Sequence, residues 1–337
     1  MSDADLIVKA ARKYLGGDPS LLGLQALTGG AASATWQFDL KTEAQTTPCI
    51  LRLQQGSSVD TLALDKTTEA RVQTAARSAG LPVANVLFVL RSEDKLGAGY
   101  VMERLPGASI AQKILRDHSF APARRLMTSQ CGEILAGIHA LNTADLTDLP
   151  QLSAAPLLAQ YERTYHAIGH NLPAFELALH WLKANIPPAQ RSTLVHGDFR
   201  NGNFLVDADK GISTVLDWEL AHLGDPMEDL GWLCVNSWRF GYSDLAVGGF
   251  GQREELFSAY ERAGGTTVNP ERVQFWELLG VLKWGVICLT MSSAQNPGES
   301  PPLERAAIGR RVSETEIDLI QLLKSVLRGN DIGQSTH

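Results

Sequence analysis

The chain has 337 residues, of which 44% are apolar and 20% charged, with a formal net charge of −7 and a pI near 5.6. That balance excludes a disordered chain, and an acidic chain without Lys/Arg runs lacks the basic surface that nucleic-acid phosphates require. The length suits two lobes or one large domain.

The N-terminal segment MSDADLIVKAARKYL carries Asp and Lys within an amphipathic helical pattern over 3–15, so no signal peptide is expected. No stretch reaches about 18 uncharged apolar residues, and Lys283 interrupts the longest run, so no membrane span is expected. Cys49, Cys131, Cys234 and Cys288 are scattered without a CxxC or metal-ligand spacing. They read as reduced, mostly buried thiols of a cytoplasmic protein.

After the first helix, 24–40 reads as strand, glycine turn and strand, and 48–55 as a third strand. A helix over 61–80 ends at Gly80 ahead of Pro82. Strands follow at 85–90 and 97–105, then LPGASI (105–110) breaks the pattern with Pro and Gly. Helices are expected at 121–141, 155–168 and 173–186, and further on near 226–238, 250–263, 270–291 and 302–328. Between these two sets lie the loop HGDFRNGN and two short strands, NFLV and ISTVLD. The expected fold is α+β and bilobal, a small β-rich N-lobe over 1–104 and a larger helical C-lobe over 105–337, with a ligand cleft between them.

HGDFRNGNFLVD (196–207) holds the chemistry. Its two glycines, Asn and Asp make a loop that runs into a buried strand. Asp198 and Asn203 have the D-x-x-x-x-N spacing of a kinase catalytic loop, with Asp198 as the base for an attacking hydroxyl and Asn203 as a magnesium ligand. Asp217, leaving the strand ISTVLD, supplies a second hard oxygen donor for the metal. Upstream, LTGGAASATW offers Gly29 and Gly30 as a phosphate-cradling turn, with Ser33 and Thr35 as hydrogen-bond donors. Arg52 reads as the only cation placed to reach the phosphates, and Glu69 on the following helix as its partner. His139 reads as a core or subsite histidine, whereas Trp238 and Tyr242 are candidates to line an acceptor pocket.

HGDFRNGNFLVD followed by VLDWELAHLGDPMEDLGWL resembles the aminoglycoside phosphotransferase and choline kinase-like superfamily. It is most similar to the branch of kinase-like domains fused to acyl-CoA dehydrogenases, where Leu-Arg, here Leu51-Arg52, replaces the usual phosphate-binding Lys. The resemblance implies the bilobal protein-kinase-like fold and small-molecule kinase activity with Mg2+ and ATP, or GTP as an alternative donor. It also implies that Asp229 holds the catalytic loop, that His196 is a packing and hydrogen-bonding residue of that loop, and that backbone groups of Glu103 and Leu105 in VMERLPG face the adenine. The expected partner is a small-molecule acceptor with a hydroxyl, a hydroxyacyl or other lipophilic compound, with neither nucleic acid nor membrane involved. The alternative is a nucleotide-binding pseudokinase acting as an interaction module.

Overall fold

A computed structural model describes residues 2–27, 33–54, 62–292 and 303–334. Helix α1 (Asp3–Leu15) begins with a Ser2/Asp5 capping box. Strands β1 (Ser20–Leu27), β2 (Ser33–Lys41), β3 (Thr46–Gln54), β4 (Val86–Leu90) and β5 (Gly99–Glu103) form one antiparallel sheet in the order β1-β2-β3-β5-β4. Helix α2 (Lys66–Ser78), capped by Asp65, is inserted between β3 and β4.

Side chains alternate across a strand, so β3 serves two cores at once. Cys49 and Leu51 face a cluster with Ile7, Ala10 and Phe38, which seals α1 to the sheet. Ile50 joins Ala70, Tyr100 and Met102 on the α2 side. Arg52 continues that second row, and the β3–β5 register sets it directly opposite Tyr100.

The second region is helical. It comprises α3 (Ala111–Arg116), α4 (Ala121–His139), α5 (Ala154–Ile168), α6 (Pro173–Ala184), α7 (Met227–Cys234), α8 (Arg253–Arg262), α9 (Pro270–Ser292), α10 (Leu303–Gly309) and α11 (Val312–Gln334). Two small antiparallel pairs interrupt the helices. One joins β6 (Thr193–Val195) to β9 (His222–Gly224), and the other joins β7 (Phe204–Asp207) to β8 (Gly211–Val215). Helix α9 is long and apolar enough to cross a membrane, but most of it is buried at the centre of this region. Its Glu277 and Lys283 are buried and bonded.

The single helix expected over 302–328 is instead two. Gly309 lies so close to Ser292 of α9 that a Cβ there would collide with it, and α10 ends at that approach. Helix α3, β6 and β9 were not foreseen. All four cysteines are free and buried.

Candidate active site

The loop between β6 and β7 is built around Asp229, a fully buried residue of α7. Its carboxylate accepts the backbone N–H of His196 at 2.8 Å and of Gly197 at 3.0 Å. A third donor is His139 Nε2 at 3.1 Å, while His139 Nδ1 meets the Tyr260 hydroxyl at 2.9 Å. Burial would raise the Asp229 carboxyl, but the His139 hydrogen bond and charge hold it below the usual carboxylate range. Lys283 of α9 donates to the Gly197 carbonyl at 3.0 Å. Gly197 has φ 77°, and a Cβ there would strike the Leu220 carbonyl, so this position requires glycine.

His196 is a strut. Asp198 N–H donates to its Nδ1 at 3.2 Å, which leaves Nε2–H to donate to the Leu216 carbonyl at 3.0 Å. Burial lowers its pKa and keeps the ring neutral, as both bonds require. The loop is thereby fastened to the residue preceding Asp217. A backbone bond from Leu216 N–H to the Asn203 carbonyl (2.9 Å) adds a second tie.

Asp198 is held on all sides. Oδ1 accepts Trp232 Nε1–H at 2.8 Å and Arg200 Nε–H at 3.0 Å, and Oδ2 accepts Asn203 Nδ2–H at 2.6 Å. Asn203 spends a second Nδ2 bond on the Asp198 carbonyl at 3.0 Å. Its amide oxygen is the group left for a cation. Asp217 sits at φ 58°, ψ 68°, a left-handed conformation that a non-glycine residue rarely adopts and that clusters at functional sites. Its side chain is 42% exposed to the cleft.

Arg52 comes in from the sheet. Its Nη1 pairs with Asp217 Oδ1 at 2.7 Å and with Glu69 Oε1 at 3.0 Å, and its Nη2 with Glu219 Oε2 at 3.3 Å. Burial works against the guanidinium charge, and Glu69 and Asp217 more than offset it. Burial likewise opposes the Asp217 charge, but Arg52 draws its carboxyl below the usual range. Burial pushes Glu219 up despite Lys66 and Arg52. Tyr100, raised well above its usual value by burial and then by the Glu69 charge, donates its hydroxyl to Glu69 at 2.9 Å.

The expected Arg52–Glu69 pair is therefore present, but Arg52 is not the only cation here. Lys66, at the first position of α2 and 2% exposed, reaches Glu69 at 2.6 Å and Glu219 at 3.0 Å. A lysine at a helix N-terminus opposes the helix dipole, and that breach of a local rule was the available signal. Glu219, Arg200, Trp232 and Tyr100 also went unrecognised as site residues.

A cleft of about 310 Å³ opens between the sheet and the helical region. Ile50, Ala84, Met102 and Leu105 from one side and Leu205 and Val215 from the other give it apolar walls. Thr35, Arg52, Asp217 and Glu219 make a polar end. Glu103 and Leu105 both line it, but Glu103 N–H is already spent on the Asn85 carbonyl at 3.0 Å. Ser33 opens β2 opposite Gln54. Gly29 and Gly30 lie outside the described residues. Trp238 is 2% exposed and packs between Trp232 and Trp284, tilted to the first and edge-on to the second, with the Arg200 guanidinium 4.4 Å from its ring centre. Tyr242 is exposed. Among the described residues, no three His, Cys, Asp or Glu side chains are grouped to hold a metal.

A sheet region over a helical region, with an Asp/Asn loop tied to the residue before a strand-end Asp that lines the cleft, defines a kinase-like phosphotransferase. Residues 23–266 match the phosphotransferase enzyme family, to which the chain belongs. Acyl-CoA dehydrogenase family member 10 of Mus musculus is 34% identical over 179 residues, covering 50% of this chain and 16% of the mouse protein. The chain spans less than a third of the length of the acyl-CoA dehydrogenase family members it matches. A Ralstonia eutropha protein classed with the aminoglycoside phosphotransferases shares the fold with a TM-score of 0.75 at 22% identity, over 96% of this chain and 98% of that one. Spectinomycin phosphotransferase, solved with ADP and spectinomycin, gives a TM-score of 0.66 at 13% identity, over 95% and 99% of the two chains. The family and the fold expected from the motif pair are thus borne out.

Proposed function

We propose that the protein transfers the γ-phosphate of ATP, with Mg2+, to a hydroxyl of a small molecule. The observation that carries this reading is the Asp198 carboxylate, fixed by three side chains in a loop that His196 ties to Leu216, next to Asp217 at the polar end of the cleft. Asp198 orients the acceptor hydroxyl and takes its proton as that oxygen bonds to the γ-phosphorus. The bond from the γ-phosphorus to the β–γ bridging oxygen breaks, and ADP leaves. Asn203, Arg200 and Trp232 keep the carboxylate in place.

The residues present fit magnesium. Asp217 and the Asn203 amide oxygen are hard donors, and a site with few protein oxygens relies on phosphates and water for the rest. When bound, the metal neutralises phosphate charge. Arg52 provides the cation for the phosphates, and the apolar walls take the base. The ADP bound to spectinomycin phosphotransferase supports a nucleotide donor, and GTP is the alternative to ATP.

What surrounds Asp198 supports a choice of acceptor. The side chains that bond to it are an arginine, an asparagine and a tryptophan, with further tryptophans behind them. An arginine and buried tryptophans around the base favour a lipophilic or acyl compound over a polycation. The likeness to part of acyl-CoA dehydrogenase family members supports a hydroxyacyl acceptor. Incubation with γ-labelled ATP, Mg2+ and a panel of hydroxylated acyl, sugar and amino-alcohol compounds tests the reading. Label should move to a hydroxyacyl compound with wild type and not with Asp198→Ala. Nucleotide binding without transfer to any class would instead favour the pseudokinase.

A further inference from the structure

Arg52 is engaged by three carboxylates, and a phosphate that takes its Nη1 competes there with Asp217 and Glu69. Glu69 is fully buried, and a buried carboxylate stripped of its cation is strongly disfavoured. Lys66 removes that obstacle. Its Nζ holds Glu69 Oε2, while the Tyr100 hydroxyl and Arg52 share Oε1. Glu69 therefore keeps two donors when Arg52 turns away. Lys66 also holds Glu219 Oε2, the same oxygen that Arg52 Nη2 approaches. Arg52, Asp217 and Glu219 line the cleft, whereas Lys66 and Glu69 do not. Lys66 thus acts on the carboxylates from behind and does not meet the ligand.

We propose that Lys66 is a positioning residue of the donor site, holding Glu69 and Glu219 so that Arg52 can exchange Asp217 for the phosphates of a nucleotide. This rests on the nucleotide-donor reading above. Without Lys66, Arg52 would be left to balance both Glu69 and Glu219, and it would stay where it is.

The test is ADP binding by the full chain without metal, followed by calorimetry, so that no metal ion contributes to the measurement. Lys66→Met should weaken ADP binding about tenfold, a change of about 1.4 kcal/mol. Lys66→Arg should bind like wild type. Lys66→Met/Glu219→Gln should recover most of the loss, because the second change releases Arg52 from a carboxylate. Thermal denaturation of the same samples reports folding. Folded Lys66→Met that binds ADP like wild type would overturn the proposal, as would a loss that Glu219→Gln leaves unrelieved. Should Lys66→Met not fold, Glu219→Gln alone decides: tighter ADP binding supports the proposal, and unchanged or weaker binding overturns it. A wild type that does not bind ADP fails the donor reading itself, a result distinct from any pattern among the variants.

Discussion

Asp229→Asn isolates the support of the catalytic loop from its chemistry. The substitution keeps the volume but removes the charge and turns one acceptor into a donor. Three N–H groups converge on the carboxylate, from His196, Gly197 and His139, at 2.8, 3.0 and 3.1 Å. His196 and His139 share Oδ2 and Gly197 takes Oδ1, so an amide oxygen in the place of Oδ2 keeps two bonds, now to a neutral acceptor, while the amide NH2 faces the Gly197 N–H. The lost bond to a charged acceptor is worth about 1.5–3 kcal/mol and neutralising the acceptor of the other two costs about 1 kcal/mol each, so the loss is about 3.5–5 kcal/mol. That is a large share of the roughly 5–15 kcal/mol that separates folded from unfolded chains. On a scale of about 2–4 °C per kcal/mol for a large domain, the melting temperature should fall by about 10 °C. Urea denaturation followed by circular dichroism and by tryptophan fluorescence measures it. A variant as stable as wild type would refute the claim that Asp229 holds the loop.

Two further outcomes are expected. Trp232→Phe removes a 2.8 Å donor from Asp198 Oδ1 without touching Asp217. It should lower kcat about tenfold, the equivalent of about 1.4 kcal/mol in the barrier, with the nucleotide KM little changed; an unchanged kcat would exclude a role in fixing the base. The buried His222 ring meets Glu228 at 3.2 Å and the Leu220 carbonyl at 2.9 Å, so both ring nitrogens donate when it is charged. Burial lowers its pKa, but Glu228 outweighs burial and raises it above 6.5. The stability this gives is fully present below pH 6.5 and is lost as pH rises through the raised value. Denaturation midpoints measured between pH 6 and 9 should show that decline in wild type and a flatter profile in Glu228→Gln.

The legible part of the site was the part written in one short segment. Asp198, Asn203 and Asp217 are bound into a single loop and hairpin, so their spacing is nearly their geometry. Arg52 was legible because strand alternation fixes its face. Lys66 was not, since a charged residue at the start of a helix looks exposed until Glu219, 153 positions away, comes to meet it. Strands β6 and β9, three residues each, are too short for periodicity and pair across the whole catalytic segment. The break between α10 and α11 depends on contact with Ser292, which no local pattern records.

The most direct test of the donor site is thermal melting with ATP and Mg2+, separately and together, for wild type and Asp217→Asn. Asp217 should be the point at which metal and nucleotide become interdependent. Wild type should gain its full shift only with both ligands, and Asp217→Asn should lose the added shift that Mg2+ brings. Wild type that no nucleotide stabilises, or a variant with the wild-type response to both ligands, would contradict the assignment of this cleft to Mg·ATP.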